Sequence, residues 1–156
     1  MDFGSRLLLE TIPLEEVGGK VLDMGCGYGV FGIILNKLTS CCVDMVDVNL
    51  RAIHLSEINI KENHCTKVSV FESNCYENIN SKYSTIITNP PIRAGKKIVY
   101  EIVMNAKNYL EDGGNLFLVI RKEQGAKSLI SDLEKVYSVN ILNKKKGFYI
   151  LQCKNI

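Results

Sequence analysis

Long apolar runs, spaced cysteine pairs and histidines are what this chain of 156 residues has little of, and each shortage removes a class of protein. Its apolar runs are a handful of residues, far short of the roughly 20 that cross a bilayer. The opening residues Met1-Asp2-Phe3-Gly4 have neither the basic region nor the apolar stretch of a secretion signal. Of six cysteines, Cys41 and Cys42 are adjacent, and Cys26, Cys65, Cys75 and Cys153 form no Cys-x-x-Cys pair. Only His54 and His64 accompany them. That spacing argues against a zinc site and against a disulfide framework, and points to reduced thiols in a cytosolic protein with no resident metal. The net charge of +2 is too small to argue for a nucleic-acid partner by itself.

What is present is a regular alternation of short strands and helices. Apolar periodicity and turn residues predict helices over 5–11, 30–38, 49–62, 97–110 and 123–137. Strands are expected over 20–24, 42–48, 67–71, 84–88 and 115–120. Asp112-Gly113-Gly114 is expected to stop the fourth helix. The end differs: two strands, 139–142 and 148–153, joined by Asn143-Lys144-Lys145-Lys146-Gly147, read as a hairpin. Such alternation implies a parallel sheet covered by helices on both faces, with the hairpin adding an antiparallel strand. No repeat or interdomain linker interrupts it, so one domain over 1–156 is expected.

Two loops carry chemistry. The first, Asp23-Met24-Gly25-Cys26-Gly27-Tyr28-Gly29, joins a strand to a helix, where glycines let the backbone approach a ligand. Gly27, Gly29 and Gly32, with Asp47 about twenty residues on, also satisfy the dinucleotide fingerprint. An acid just before the first glycine favours S-adenosylmethionine over NAD. Asp23 can hold the cationic amino-acid end of the former, directly or through water, and would repel a pyrophosphate. Asp47 is placed for ribose hydroxyls, or alternatively to cap the following helix. No tyrosine–lysine pair or histidine is spaced for hydride transfer. The second loop is Asn89-Pro90-Pro91-Ile92. Consecutive prolines fix the backbone and remove two amide donors, leaving the Asn89 side-chain oxygen and the Pro90 carbonyl as acceptors. Together these suit an amine with two N–H groups, aligning its lone pair toward an incoming methyl group. The basic residues Arg93, Lys96, Lys97 and Arg121 are expected to hold phosphates. Lys144, Lys145 and Lys146 have the look of a solvated hairpin turn.

The whole chain resembles the small-domain methyltransferase family that includes ribosomal RNA guanine-N2 methyltransferases of the small subunit. The resemblance runs through Asp2-Phe3-Gly4-Ser5-Arg6-Leu7-Leu8-Leu9, the glycine loop, Asp47 and Asn89-Pro90-Pro91-Ile92-Arg93-Ala94-Gly95-Lys96. Arg121-Lys122-Glu123-Gln124-Gly125-Ala126-Lys127 and Lys146-Gly147-Phe148 extend it. It implies a Rossmann-like class I fold: a seven-stranded, mostly parallel sheet of order 3-2-1-4-5-7-6 in three layers, strand seven antiparallel. The implied cofactor, S-adenosyl-L-methionine, would lie along Asp23, Gly25, Cys26, Gly27 and Gly29, then Asp47 and Val48, then Asn74, Cys75 and Asn89. Catalysis would fall to Asn89, Pro90, Pro91 and Ile92, with Arg93, Lys96, Lys97 and Arg121 binding RNA, most naturally ribosomal RNA. Three departures stand out: Ile92 where an aromatic residue is common, Asn74 where an aspartate is, and Ser84 where an acid is. Relatives of this kind carry a preceding substrate-binding segment, so one is expected upstream, and the protein is expected to act as a monomer. Guanine N2 is the expected acceptor. Adenine N6 and a protein glutamine amide are the alternatives, ahead of a non-catalytic RNA-binding remnant and an NAD-dependent oxidoreductase.

Overall fold

Seven strands pair in the order β3-β2-β1-β4-β5-β7-β6 in the computed structural model, which describes residues 1–91, 93 and 95–156. They are β1 Lys20–Met24, β2 Cys42–Asp47, β3 Val68–Glu72, β4 Tyr83–Thr88, β5 Leu110–Arg121, β6 Ser138–Lys145 and β7 Phe148–Lys154. The helices are α1 Phe3–Thr11, α2 Val30–Thr39, α3 Leu50–Glu62, α4 Gly95–Asn105 and α5 Ala126–Leu133. β1 to β5 run parallel, and β7 is antiparallel between β5 and β6, as expected.

Alternation along the strands divides the core into two layers, because successive side chains point to opposite faces. Leu116, Leu118 and Ile120 of β5 pack with Val99, Ile102 and Val103 of α4 and with Ala126, Leu129 and Leu133 of α5. Phe117 and Val119, one residue out of step, join Leu7 and Leu8 of α1 and Phe31 and Leu35 of α2 on the other face. The sheet is therefore buried on both sides, which is why its central strands read as continuous apolar runs.

Two expectations needed correction. Asp112-Gly113-Gly114 does not end a helix. α4 stops at Asn105, a 3-10 turn spans Ala106–Tyr109, and β5 begins at Leu110. The glycines form a bulge inside that strand: pairing with β4 jumps from Tyr83–Leu110 to Thr85–Asn115. Gly113 N donates to Asn155 O and Asn155 N to Gly114 O, both at 2.8 Å. The helix expected over 123–137 is also interrupted. A 3-10 turn, Lys122–Gln124, ends at Gly125 in the left-handed region (φ +87), and α5 starts anew after it. The hairpin is tighter than expected, with only Lys146 and Gly147, both at positive φ, between its strands. No helix among the described residues is long and apolar enough to cross a membrane.

Chain connections run outward in opposite directions from β1 and β4, so the loops after these neighbouring strands part and leave a crevice at their carboxyl ends.

Candidate functional site

At the end of β1 the chain turns through Gly25 (φ +76) and Gly27 (φ +55), held by Gly25 N and Cys26 N donating to Val46 O at 3.0 and 2.9 Å. A β-carbon on either glycine would meet no atom of the described residues within 4 Å beyond its chain neighbours, so this backbone stands bare. It faces a cleft of about 380 Å³ lined also by Asp2, Ser5, Cys26, Tyr28, Phe31 and Asn89. Gly32 serves packing instead: a β-carbon there would lie 2.3 Å from Met45 Sδ, so only glycine lets α2 settle on β2. From α3, Ser56 Oγ donates to Gly27 O and Asn59 Nδ2 to Tyr28 O, each at 2.8 Å, bracing the loop from outside.

Asp23 lies beneath this loop and is wholly buried. Its Oδ2 accepts from Gly32 N at 3.1 Å, and its Oδ1 has no hydrogen-bond partner among the described residues. Burial pushes the carboxyl up to about 7; the Gly32 bond offsets part of that, and the negative charge of Asp47 adds to it. Asp47 ends β2, half-buried, and bridges two backbones: Gly27 N to Oδ2 and Asn49 N to Oδ1, both at 2.9 Å. It does not cap α3. Asn49 does, accepting from Arg51 N and Ala52 N. Beyond Asp47, exposed Val48 and Asn74 line a second hollow of about 400 Å³ with Glu72, Glu77 and Asn78. Cys75 is buried with its thiol raised by desolvation, and burial pushes Cys26 up to about 12, so neither is a thiolate nucleophile. Among the described residues no three metal-binding side chains cluster.

Asn89 follows β4, whose last residue is tied to β1 by Thr88 Oγ1 donating to Met24 O at 2.9 Å. Its Nδ2 donates to Ser5 Oγ at 2.8 Å, which leaves its carboxamide oxygen as the outward acceptor. Ser5 is placed by α1, where Asp2 Oδ1 accepts from Ser5 N at 2.8 Å. Pro90 is buried and Pro91 exposed; Ile92 lies outside the described residues. Asn89 and Asp2 border the 380 Å³ cleft on one side and on the other a cleft of about 200 Å³, whose walls include Phe3, Val119, Arg121, Gln124 and Phe148. Gly4 allows this arrangement, since a β-carbon there would lie 2.9 Å from Phe148 Cε1.

Of the expected cationic residues, Arg121 is on the smaller cleft, its guanidinium 5.2 Å over the Phe148 ring and paired with Glu123. Lys96 lines an adjoining hollow that shares Ile120 and Gln124 with that cleft. Lys97 and Arg93 are exposed nearby in the chain. The hairpin lysines are not remote. Lys146 Nζ sits 5.0 Å over Phe3, and Phe3 packs on Phe148 with ring centroids 5.3 Å apart. Sequence reasoning missed Ser56 and Asn59, whose i, i+3 spacing on one helix was a signal for a shared face, and the tie between Ser5 and Asn89, which had none.

Comparison with known proteins adds context to this geometry. The family described as methyltransferase small domain matches residues 1–152. The uncharacterized protein YbxB of Bacillus subtilis is 42% identical over all of this chain and 80% of its own length. Ribosomal RNA small subunit methyltransferase C of Psychromonas ingrahamii is 33% identical over 98% of this chain and 44% of its own. The T. thermophilus 16S rRNA N2 methyltransferase RsmC, solved in complex with AdoMet and guanosine, superposes with a TM-score of 0.87 at 25% identity, covering all of this chain and 44% of that one. The chain thus spans under half the length of these ribosomal RNA methyltransferases.

Proposed function

The chain belongs to the methyltransferase small domain family, and from that premise we propose that it transfers a methyl group from S-adenosylmethionine to guanine N2 of small-subunit ribosomal RNA. The observation that carries this is Asn89: its amide is pinned by Ser5 and it lines two adjoining clefts, of which the proposal assigns the larger to the cofactor and the smaller to the base.

The residues present fit the cofactor. Bare backbone at Gly25 and Gly27 admits a ligand, and the Asp23 carboxyl beneath it, raised to about 7 by burial, offers a countercharge to a cation once ionised. A pyrophosphate would instead face the Asp47 carboxylate, and Asp23 once ionised. Bound in this cleft, S-adenosylmethionine supplies an activated methyl group on sulfur, so no protein nucleophile or metal is needed. Each Asp47 oxygen keeps a lone pair for a ribose hydroxyl after accepting its backbone amide. Val48 offers apolar contact to the adenine, Asn74 an acceptor for its amine, and the Cys75 backbone closes that end. Asn89 and the Pro90 carbonyl accept the two N–H groups of the target amine, turning its lone pair toward the cofactor cleft, Pro91 stiffens the loop, and Ile92 is assigned apolar contact with the base. The basic rim of Arg93, Lys96, Lys97 and Arg121 holds phosphates of the RNA. All 156 residues form one catalytic domain in this scheme, which acts as a monomer in the cytosol, where its six free thiols stay reduced.

Incubating unmodified ribosomal RNA with the protein and labelled cofactor, then identifying the labelled nucleoside, tests the proposal. N2-methylguanosine is expected. N6-methyladenosine would move the acceptor to another base, and absence of label would leave only a binding role.

A further inference from the structure

The 200 Å³ cleft has polar groups of both kinds in its wall. Two acceptors line it: the Asp2 carboxylate, one of whose oxygens is engaged by the Ser5 amide, and the Asn89 oxygen. Two donors line it as well. Gln124 spends its Oε1 on the Arg121 amide at 3.0 Å, which leaves its NH₂ group to donate. The Arg121 guanidinium, paired with Glu123 and held over Phe148, has a buried Nε–H with no partner among the described residues. Phe3 and Phe148, packed on each other, supply aromatic surface.

Three common nucleobases carry an exocyclic amine. In adenine and cytosine the ring nitrogen next to that amine is a bare acceptor, whose lone pair a carboxylate would repel. Guanine alone has a ring N–H beside its amine. The geometry points to Asp2 as the residue that selects guanine: its carboxylate accepts the ring N1–H while Asn89 accepts from N2, and Arg121 and Gln124 donate toward O6. This assignment rests on the base-methylation function proposed above and extends it to the origin of base specificity. It also gives the Asp2-Phe3-Gly4-Ser5 segment a joint purpose, with Asp2 reading the base, Phe3 and the space at Gly4 shaping its slot, and Ser5 setting Asn89.

Single-turnover methylation of a single-stranded RNA containing one guanine, and of the same RNA with 2-aminopurine in its place, tests the assignment. 2-Aminopurine keeps the amine but lacks the ring N–H and the oxygen. Wild type should prefer guanine by at least about a hundredfold, as sites built to pair a polar group reject analogues lacking it. Asp2→Asn caps α1 as well as aspartate does, so the fold is kept. It should lower the guanine rate and shrink the preference to within about tenfold. A preference that survives in Asp2→Asn overturns the assignment and spares base methylation. Wild type that methylates neither RNA overturns the base-methylation function itself.

Discussion

Replacing Asp23 with asparagine isolates the energetic burden of keeping an acid under the cofactor loop. The folded carboxyl is raised from 3.8 to about 7 by burial, with one oxygen unpartnered. That difference corresponds to roughly 4 kcal/mol against the ionised form. The sign follows from proton counting: the unfolded chain releases this proton near pH 4, while the folded chain keeps it until about pH 7. The contribution of Asp23 to stability is therefore highest below pH 4, falls as pH rises toward 7, and levels off above it. Between pH 5 and pH 8 the loss should be roughly 2–3 kcal/mol. Asparagine still accepts the Gly32 amide and does not titrate. Urea denaturation of both proteins at several pH values, read as their difference, cancels groups such as Asp132, which its Tyr100 hydrogen bond pulls the other way. Asp23→Asn should gain on wild type steadily with pH and be the more stable protein at pH 8. S-adenosylmethionine affinity should behave oppositely, strengthening for wild type as pH passes 7 and staying weak and flat for the variant. A stability difference that does not change with pH would refute the claim that the carboxyl is held neutral. Equal cofactor affinity at pH 8 would refute its role as countercharge.

Ser5→Ala removes the partner of Asn89 Nδ2 and should lower the methyl-transfer rate five- to tenfold, from about 1–1.5 kcal/mol, without changing cofactor affinity; Ser5→Thr should restore it, and failure of that rescue would point to a merely structural effect. Asp47→Ala should weaken cofactor binding by roughly 1.5–3 kcal/mol for each charged hydrogen bond removed, and an unchanged calorimetric affinity would remove it from the cofactor site. Charge reversal at Lys144, Lys145 and Lys146 should weaken RNA binding as much as reversal at Lys96 and Lys97, because Lys146 sits over Phe3 at the smaller cleft. The salt dependence should flatten by about 0.7 for every phosphate that the variant no longer neutralises; an unaltered slope in the hairpin variant would return that turn to bare solvent.

The sheet was legible in the sequence wherever a pattern is local. Strand and helix alternation and the presence of the final hairpin depend on neighbours a few residues away, and they appear as expected. Asp112-Gly113-Gly114 misled for the opposite reason. Whether glycines end a helix or bulge a strand is decided by partners far off, here β4 and Asn155. The site divides in the same way. Asp23 and Asp47 stand out as acids at the ends of strands, Asp23 two residues before Gly25, and Asn89 because it follows a strand and precedes two prolines. Their supports do not: Asn89 meets Ser5 across 84 residues and Gly27 meets Ser56 across 29, through side chains common on any surface. The burial of Asp23 was equally hidden, since a strand-ending acid reads the same whether it faces the ligand or lies under the loop.

The most direct measurement is single-turnover methylation of ribosomal RNA by wild type and Asn89→Ala, with S-adenosylmethionine affinity and folding measured alongside. Losing one preorganised acceptor at the reacting amine should cut the rate about a hundredfold or more, some 3–4 kcal/mol, while cofactor affinity stays nearly unchanged. Asn89→Asp, which keeps an acceptor but loses the donor to Ser5, should fall between the two. An alanine variant that is folded, binds cofactor and transfers the methyl group at the wild-type rate would contradict Asn89 as the residue that presents the amine.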